Sequence, residues 1–116
     1  MLQLVAFLVR DPALTRDEFE THWRQIHGPL IRDTRELSRH ILRYEQHPPD
    51  RALNAVGGDW DGVAIQWFAS ADDFLAFLAE PAYIEVLQPD EQFLLDMDRV
   101  EVMFVTEGRV VIGDER

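Results

Sequence analysis

Apolar residues cluster in short runs along the chain, and the spacing within each run predicts a strand or a helix. Residues 2–10 are apolar apart from two polar side chains, which is typical of a strand covered on both faces. Further strands are predicted at 40–46, 63–69 and 100–106. The last two are also apolar on both faces, whereas the strand at 40–46 mixes polar and apolar residues.

The first helix is predicted to begin after Thr15. Thr15 and Glu18 have the spacing of a capping box, in which each side chain binds the backbone of the other residue. The apolar residues that follow form one stripe at steps of four, three and four: Phe19, Trp23, Ile26 and Leu30. Gly28-Pro29 interrupts this pattern, so we expect the helix to stop or kink there, with a short helical continuation to Glu36.

The second half of the chain repeats this alternation of strand and helix. Ser70 is a suitable N-cap for a second helix, and Pro81 is expected to end or offset it before a further helical stretch. Residues 48–59, between the second and third strands, contain two prolines and two glycines. They predict a long loop at the mouth of a pocket.

The predicted order is β-α-β-β-α-β. With connections of these lengths, it indicates an α+β fold of the ferredoxin-like type, with an antiparallel four-stranded sheet and the helices on one face. We expect one domain at 1–108 and a C-terminal tail at 109–116. The other sheet face would be apolar and uncovered, which predicts a homodimer; a monomer with an exposed apolar face is the alternative.

Charge and composition restrict the partners. The 116 residues include 22 acidic side chains against 11 basic ones, all arginine, for a net charge of −11. A Schiff-base mechanism is excluded because it needs a lysine amine. The acidic charge disfavours nucleic acid and anionic membrane surfaces. The chain has no cysteine, and its first apolar run lacks the basic leader of a signal peptide, so we expect a cytoplasmic protein.

Several segments together resemble a known family. They lie at 7–10, 14–19, 22–30, 43–44, 61–68 and 90–93, and the third contains Trp23-x-x-x-His27-Gly28-Pro29. In these segments, in this order, the chain resembles the EthD-like family of the dimeric α/β barrel superfamily. The resemblance implies that dimeric fold more firmly than it implies a reaction. Members of the superfamily include cyclases, decarboxylases, dehydratases, lactone isomerases and cofactor-free monooxygenases, beside proteins with no assigned activity.

His27 is the leading candidate for catalysis. It follows Trp23 by four residues and therefore lies on the same side of a helix. The resemblance places a histidine at this position, and an imidazole accepts or donates protons near neutral pH. The alternative is a structural role, in which His27 binds the carbonyl groups at the end of the helix.

His40 and Tyr44 are candidates for an acid/base group and a hydroxyl donor, because they share one face of the second predicted strand. If that face packs against helices, Tyr44 is instead a core aromatic residue with a solvated hydroxyl group. The candidate substrate-binding residues are Trp23, Gln66, Trp67, Phe68 and Tyr83. Gln66 either orients a substrate carbonyl or binds the neighbouring strand. Tyr83 follows Pro81, where some cyclases of the superfamily have histidines, so the resemblance to polyketide cyclases is weakened here.

We expect no metal site and no cofactor. His22 and His27 are five residues apart, which separates them by about 140° around an α-helix, and no phosphate-binding loop or dinucleotide motif is present. The predicted function is cofactor-independent acid/base catalysis of the cyclase, isomerase, dehydratase or decarboxylase type on a small hydrophobic carbonyl or aromatic compound. The alternatives are a non-catalytic protein that binds a hydrophobic metabolite, and a cofactor-free or haem-linked monooxygenase.

Overall fold

Four antiparallel strands form the sheet of this protein. The computed structural model describes residues 1–54 and 60–114. Its strands are β1 (Leu2–Leu8), β2 (Arg43–His47), β3 (Gly62–Phe68) and β4 (Glu101–Val105), in the order β2-β3-β1-β4. The ferredoxin-like α+β fold predicted from the sequence is confirmed.

The helices pack on one face of this sheet, in two groups. Between β1 and β2 lie α1 (Arg16–His22), a π-helical turn (Trp23–His27), α2 (Gly28–Asp33) and α3 (Arg35–Ser38). Between β3 and β4 lie α4 (Ala71–Ala79), a second π-helical turn (Tyr83–Leu87) and α5 (Gln88–Leu94). No helix in the described parts of the chain is both long enough and apolar enough to cross a membrane.

The predicted helix starts are confirmed. Thr15 Oγ1 accepts a hydrogen bond from the Glu18 backbone N–H at 3.1 Å, and Glu18 Oε1 accepts one from the Thr15 N–H at 2.9 Å. Ser70 caps α4 through the Asp73 N–H. Glu80 is extended (ψ 130°), because the proline that follows disfavours helical backbone at the preceding residue, and α4 therefore ends at Ala79.

The stop expected at Gly28-Pro29 is not observed, and the helix instead changes its geometry directly before these two residues. The chain is helical from Arg16 to Asp33, and both residues lie within the helix. The Gly28 N–H donates to the Trp23 carbonyl oxygen, a hydrogen bond that spans five residues and widens the turn directly before the proline. This wider turn accommodates a ring that would clash with the carbonyl four residues earlier in a regular α-helix.

The π turn also changes which residues are buried. The sequence pattern predicts a stripe that continues through Ile26 and Leu30, but Ile26 is 51% exposed. The buried residues of this helix are Phe19, Trp23, His27 and Ile31, at steps of four. The extra residue in the π turn rotates the following segment, and it brings a histidine into the interior in place of an isoleucine.

The second helical region has the same arrangement. The Gln88 N–H donates to the Tyr83 carbonyl oxygen, and Pro89 follows directly. Each π turn therefore begins at an aromatic residue and ends two positions before a proline. The two halves of the fold place these turns in equivalent connections, which carry most of the polar residues described below.

Side chains on β3 alternate between the two sheet faces. Ala64, Gln66 and Phe68 are buried beneath the helices, whereas Val63, Ile65 and Trp67 lie on the other face and are half-buried. The strand registers place further apolar residues on that second face: Val5, Phe7, Met103 and Val105. None of the described helices covers it.

Candidate active site

A cavity of about 320 Å³ lies between the helices and the sheet. Its walls are mostly aliphatic and aromatic, with side chains from β1, β3, β4 and the helical connections. Among the described residues, six side chains supply its polar nitrogen and oxygen atoms: Trp23, His27, Tyr44, Gln66, Tyr83 and Glu91. Five of these six were predicted from the sequence as site residues, and the cavity brings them together.

His27 is held by a carboxylate. Its Nδ1 lies 2.7 Å from Asp90 Oδ2, and the side chain is buried. An ionised carboxylate only accepts hydrogen bonds, so in the neutral ring Nδ1 carries the proton and Nε2 is free to accept one. Among the described residues Nε2 has no hydrogen-bond partner, and His27 lines the cavity. The helix-end role considered for this residue does not apply, because the helix continues past it to Asp33.

Asp90 also binds a second histidine. His22 Nε2 lies 2.6 Å from Asp90 Oδ1, so one carboxylate joins two imidazoles. Burial favours the neutral carboxyl group, but the hydrogen bonds from His27 and His22 outweigh it and hold the pKa of Asp90 below its usual value.

The expected separation of His22 and His27 by about 140° is therefore not observed. In a π turn, hydrogen bonds join residues five apart, so these two side chains lie on one side of the helix. Within 1–54 and 60–114, no group of three or more candidate ligands has an arrangement that could hold a metal ion.

Glu91, like Asp90, is a site residue that sequence reasoning missed. Tyr83 Oη donates a hydrogen bond to Glu91 Oε1 at 3.1 Å, and both residues line the cavity. Burial raises the pKa of Glu91, and the neighbouring Asp90 charge adds to this rise. Acidic residues are common in the first turn of a helix, so the residue type alone does not indicate that this one faces a cavity. The signal that could have identified Glu91 is its position in the segment 90–93, which resembles the EthD-like family.

Tyr44 and Gln46 form a second polar group beside the cavity. Gln46 Nε2 donates to the Trp23 carbonyl oxygen at 2.8 Å and to Tyr44 Oη at 3.0 Å. Burial raises the pKa of Tyr44 to about 12, so this phenol is a hydrogen-bond donor and not a base at neutral pH. Its own proton has no acceptor within the described residues.

Gln66 lies at the centre of the sheet floor, paired with Leu4 on one side and Tyr44 on the other. Its side chain is buried and lines the cavity, and the described residues offer its amide no hydrogen bond. The Trp23 indole N–H is also buried, and its interaction with the Tyr44 hydroxyl lowers the pKa of Tyr44, although burial has the larger effect. Buried polar groups normally have partners, so the Gln66 amide is available to a bound molecule.

His40 is not part of this site. β2 begins at Arg43, so His40 lies in the preceding turn and does not share a strand face with Tyr44, contrary to the sequence-based expectation. His40 Nε2 lies 3.7 Å from Glu80 Oε1. Trp67 lies on the uncovered sheet face, under the Arg43 guanidinium at 5.5 Å.

Phe68 and the described part of the predicted loop, residues 48–54, also lie outside the cavity lining. Phe68 is fully buried against Phe74 and Phe77. Arg51, within that loop, binds Asp17 in α1 at 2.8 Å, and none of residues 48–54 lines the cavity. The remainder of the predicted pocket mouth, at 55–59, falls outside the described residues.

The chain belongs to the EthD family. Residues 11–98 match the EthD domain, which includes both helical connections and the Asp90 carboxylate. The resemblance found in the sequence is thereby confirmed. No curated protein sequence is significantly similar to the chain.

Solved structures share the fold at low sequence identity. An EthD family protein from Bacillus halodurans has a TM-score of 0.68 at 12% identity, over 93% of this chain and 99% of that one. SnoaB, a cofactor-independent oxygenase from Streptomyces nogalater, has a TM-score of 0.65 at 15% identity, over 95% of each chain. A dimeric protein of unknown function with a ferredoxin-like fold, from Bacteroides fragilis, has a TM-score of 0.65 at 10% identity, over 90% of this chain and 93% of that one.

Proposed function

We propose that this protein is a cofactor-independent enzyme that moves protons on a small hydrophobic carbonyl or aromatic compound. The observation that carries this proposal is the His27–Asp90 pair: His27 lines a mostly apolar cavity, and its Nε2 has no partner among the described residues. A histidine oriented by a carboxylate is a general base, and its low-polarity surroundings strengthen the electrostatic effects of nearby groups.

The roles follow from the positions of the polar groups. His27 Nε2 removes a proton from the carbon next to a carbonyl group, and the electron pair of that C–H bond moves into the new enolate. The enolate oxygen accepts hydrogen bonds from the Tyr44 hydroxyl and the Gln66 amide. The His27 imidazolium then gives up the proton it removed, which restores the neutral ring. In an isomerisation the proton goes to a different carbon of the enolate. In a dehydration it goes to a hydroxyl oxygen that leaves as water. In a ring closure the enolate carbon attacks a second carbonyl carbon of the same molecule, and the alkoxide oxygen formed there takes the proton.

Carbon–hydrogen exchange tests this proposal without knowledge of the natural substrate. We would incubate the protein with 1-tetralone, a small aromatic ketone, in heavy water and follow deuterium uptake beside the carbonyl by NMR. Exchange should be accelerated by the wild type and reduced by about 100-fold or more in His27→Asn. His47→Asn, which changes an exposed histidine paired with Glu45, is the matched control. Equal acceleration by wild type and His27→Asn would show that His27 is not the base.

The alternatives give different results in the same experiment. A non-catalytic binding protein would bind the ketone without accelerating exchange. An oxygenase, a possibility supported by the likeness to the fold of SnoaB, would consume dissolved oxygen during the reaction. A haem-linked oxygenase would show a haem absorbance band after purification.

We also propose that the protein is a homodimer joined through the uncovered sheet face. This face carries Val5, Phe7, Ile65, Trp67 and Met103, and soluble monomers rarely expose contiguous apolar surface of that size. The dimeric Bacteroides fragilis protein of the same fold is consistent with this assembly.

A further inference from the structure

The ionisable groups at the cavity are unusual because none of them is a permanent cation. Within the described residues that line it, the ionisable side chains are His27, Tyr44, Tyr83 and Glu91. The chain has eleven basic residues, all arginines, and none of those that the structure describes contributes to these walls. An anionic group on a ligand would therefore find no described arginine to pair with it.

Glu91 makes the same region unfavourable for a second carboxylate. Its Oε1 accepts a hydrogen bond from Tyr83 Oη, and it makes no ion pair with an arginine in the described structure. Asp90, the next residue, adds negative charge behind His27. Two like charges that approach within several ångströms in a buried site repel strongly, and a buried unpaired charge loses its hydration without compensation.

The unpaired polar groups instead match a neutral oxygen. The Tyr44 O–H and the Gln66 amide can both donate hydrogen bonds, and the described residues provide no acceptor for either. A ketone or phenol oxygen accepts such bonds without carrying a formal charge. The lining also contains Phe74, Phe77 and Phe104, which suit the face or edge of an aromatic ring.

We propose that this cavity selects uncharged aromatic ketones or phenols and rejects aromatic carboxylates. The inference rests on the proposed catalytic site and narrows its substrate class. Of the four reaction types left open by the sequence, decarboxylation requires a carboxylate as substrate and is the one that these walls disfavour. Cyclisation, isomerisation and dehydration of neutral ketones remain.

Two probes of nearly the same shape test this inference. 2-Acetylnaphthalene is a neutral ketone with a methyl group in the position where 2-naphthoate has a charged oxygen. Binding would be measured by equilibrium dialysis at about pH 8, where a free glutamate is ionised. It would be measured at about 0.15 M and about 0.5 M salt, because the higher concentration screens long-range repulsion between charges. We expect the neutral ketone to bind at least about tenfold more tightly at both salt concentrations.

Variants identify the cause of the preference. Glu91→Gln removes the charge of this side chain from the cavity and should reduce the difference in affinity between the ketone and the carboxylate. Glu85→Gln removes the same charge from an exposed position on the second π turn and should leave the difference unchanged. A difference that disappears at high salt, or that changes equally in both variants, would reflect the net charge of the chain and would overturn the inference.

Tighter or equal binding of 2-naphthoate by the wild type would also overturn it, as would the failure of both probes to bind. Each of these results is distinct from a failure of the proposed catalysis, because the exchange assay with 1-tetralone reports on His27 whether or not carboxylates bind.

Discussion

Asp90 Oδ2 lies 2.7 Å from His27 Nδ1, although the two residues are 63 positions apart in the chain. Each lies beside one of the two π turns, His27 at the end of the first and Asp90 just after the second. The contact therefore joins the two helical connections of the fold at the wall of its cavity. It also fixes which nitrogen of His27 is available to a substrate.

Asp90→Asn is expected to reduce the 1-tetralone exchange rate by about tenfold or more, because an amide no longer fixes the same tautomer of His27 or stabilises its charged form. The pH dependence of stability should change as well. The pKa of Asp90 is lowered in the folded state, so its ionised form stabilises the protein above the unfolded-state pKa. That stabilisation is lost as the pH falls through the folded-state value.

Thermal unfolding of the wild type and Asp90→Asn from pH 3 to 7 checks this expectation. Their melting temperatures should converge at the acid end. Asp98→Asn, an exposed residue beyond α5, serves as the control. An unchanged exchange rate in Asp90→Asn would remove Asp90 from the catalytic arrangement.

Glu91→Gln is expected to raise the melting temperature at neutral pH. The pKa of Glu91 is raised by burial, so its neutral form contributes stability below the unfolded-state pKa. This contribution is lost as the pH rises through the folded-state value. Glutamine stays neutral and can still accept the hydrogen bond from Tyr83. Calorimetry should therefore show similar melting temperatures near about pH 4 and a growing advantage for the variant toward pH 8; a lower melting temperature at pH 8 would contradict this.

Gly62→Ala is expected to destabilise the protein by about 1–3 kcal/mol. An added Cβ would lie 2.6 Å from Cη2 of Trp23, a rigid and fully buried ring that borders the cavity. Gly108→Ala is the matched control, because a Cβ there meets no atom within 4 Å. Urea unfolding of both variants measures the difference, and equal midpoints would show that Trp23 can move aside.

Met103→Asp is expected to convert a dimer into a monomer. Met103 is 59% exposed on the uncovered sheet face, where a carboxylate would be buried without a partner in a dimer. Sedimentation equilibrium should give twice the chain mass of 13.5 kDa for the wild type and about that mass itself for the variant. A wild-type mass of one chain at micromolar concentration would refute the dimer.

The sequence by itself determined the order of strands and helices, because capping residues, prolines and apolar runs are local signals. The capping box of Thr15 and the helix end before Pro81 both formed as expected. It also indicated the family and nominated His27, Tyr44 and Gln66. These are polar residues among apolar neighbours, and that contrast is visible without a structure.

Only the tertiary structure decided how these residues meet. The first π turn is one residue wider than a regular helical turn, and no regular helical period describes it. This widening turned His27 inward and Ile26 outward, and it brought His22 and His27 to one carboxylate. In the sequence, Asp90 and Glu91 are two acidic residues in the first turn of a helix. The packing of the two helical connections places Glu91 at the cavity and Asp90 against His27. His40 was excluded by a strand that begins three residues later than the local pattern suggested. Contacts between distant segments depend on the packing of whole helices, and local spacing carries no information about that packing.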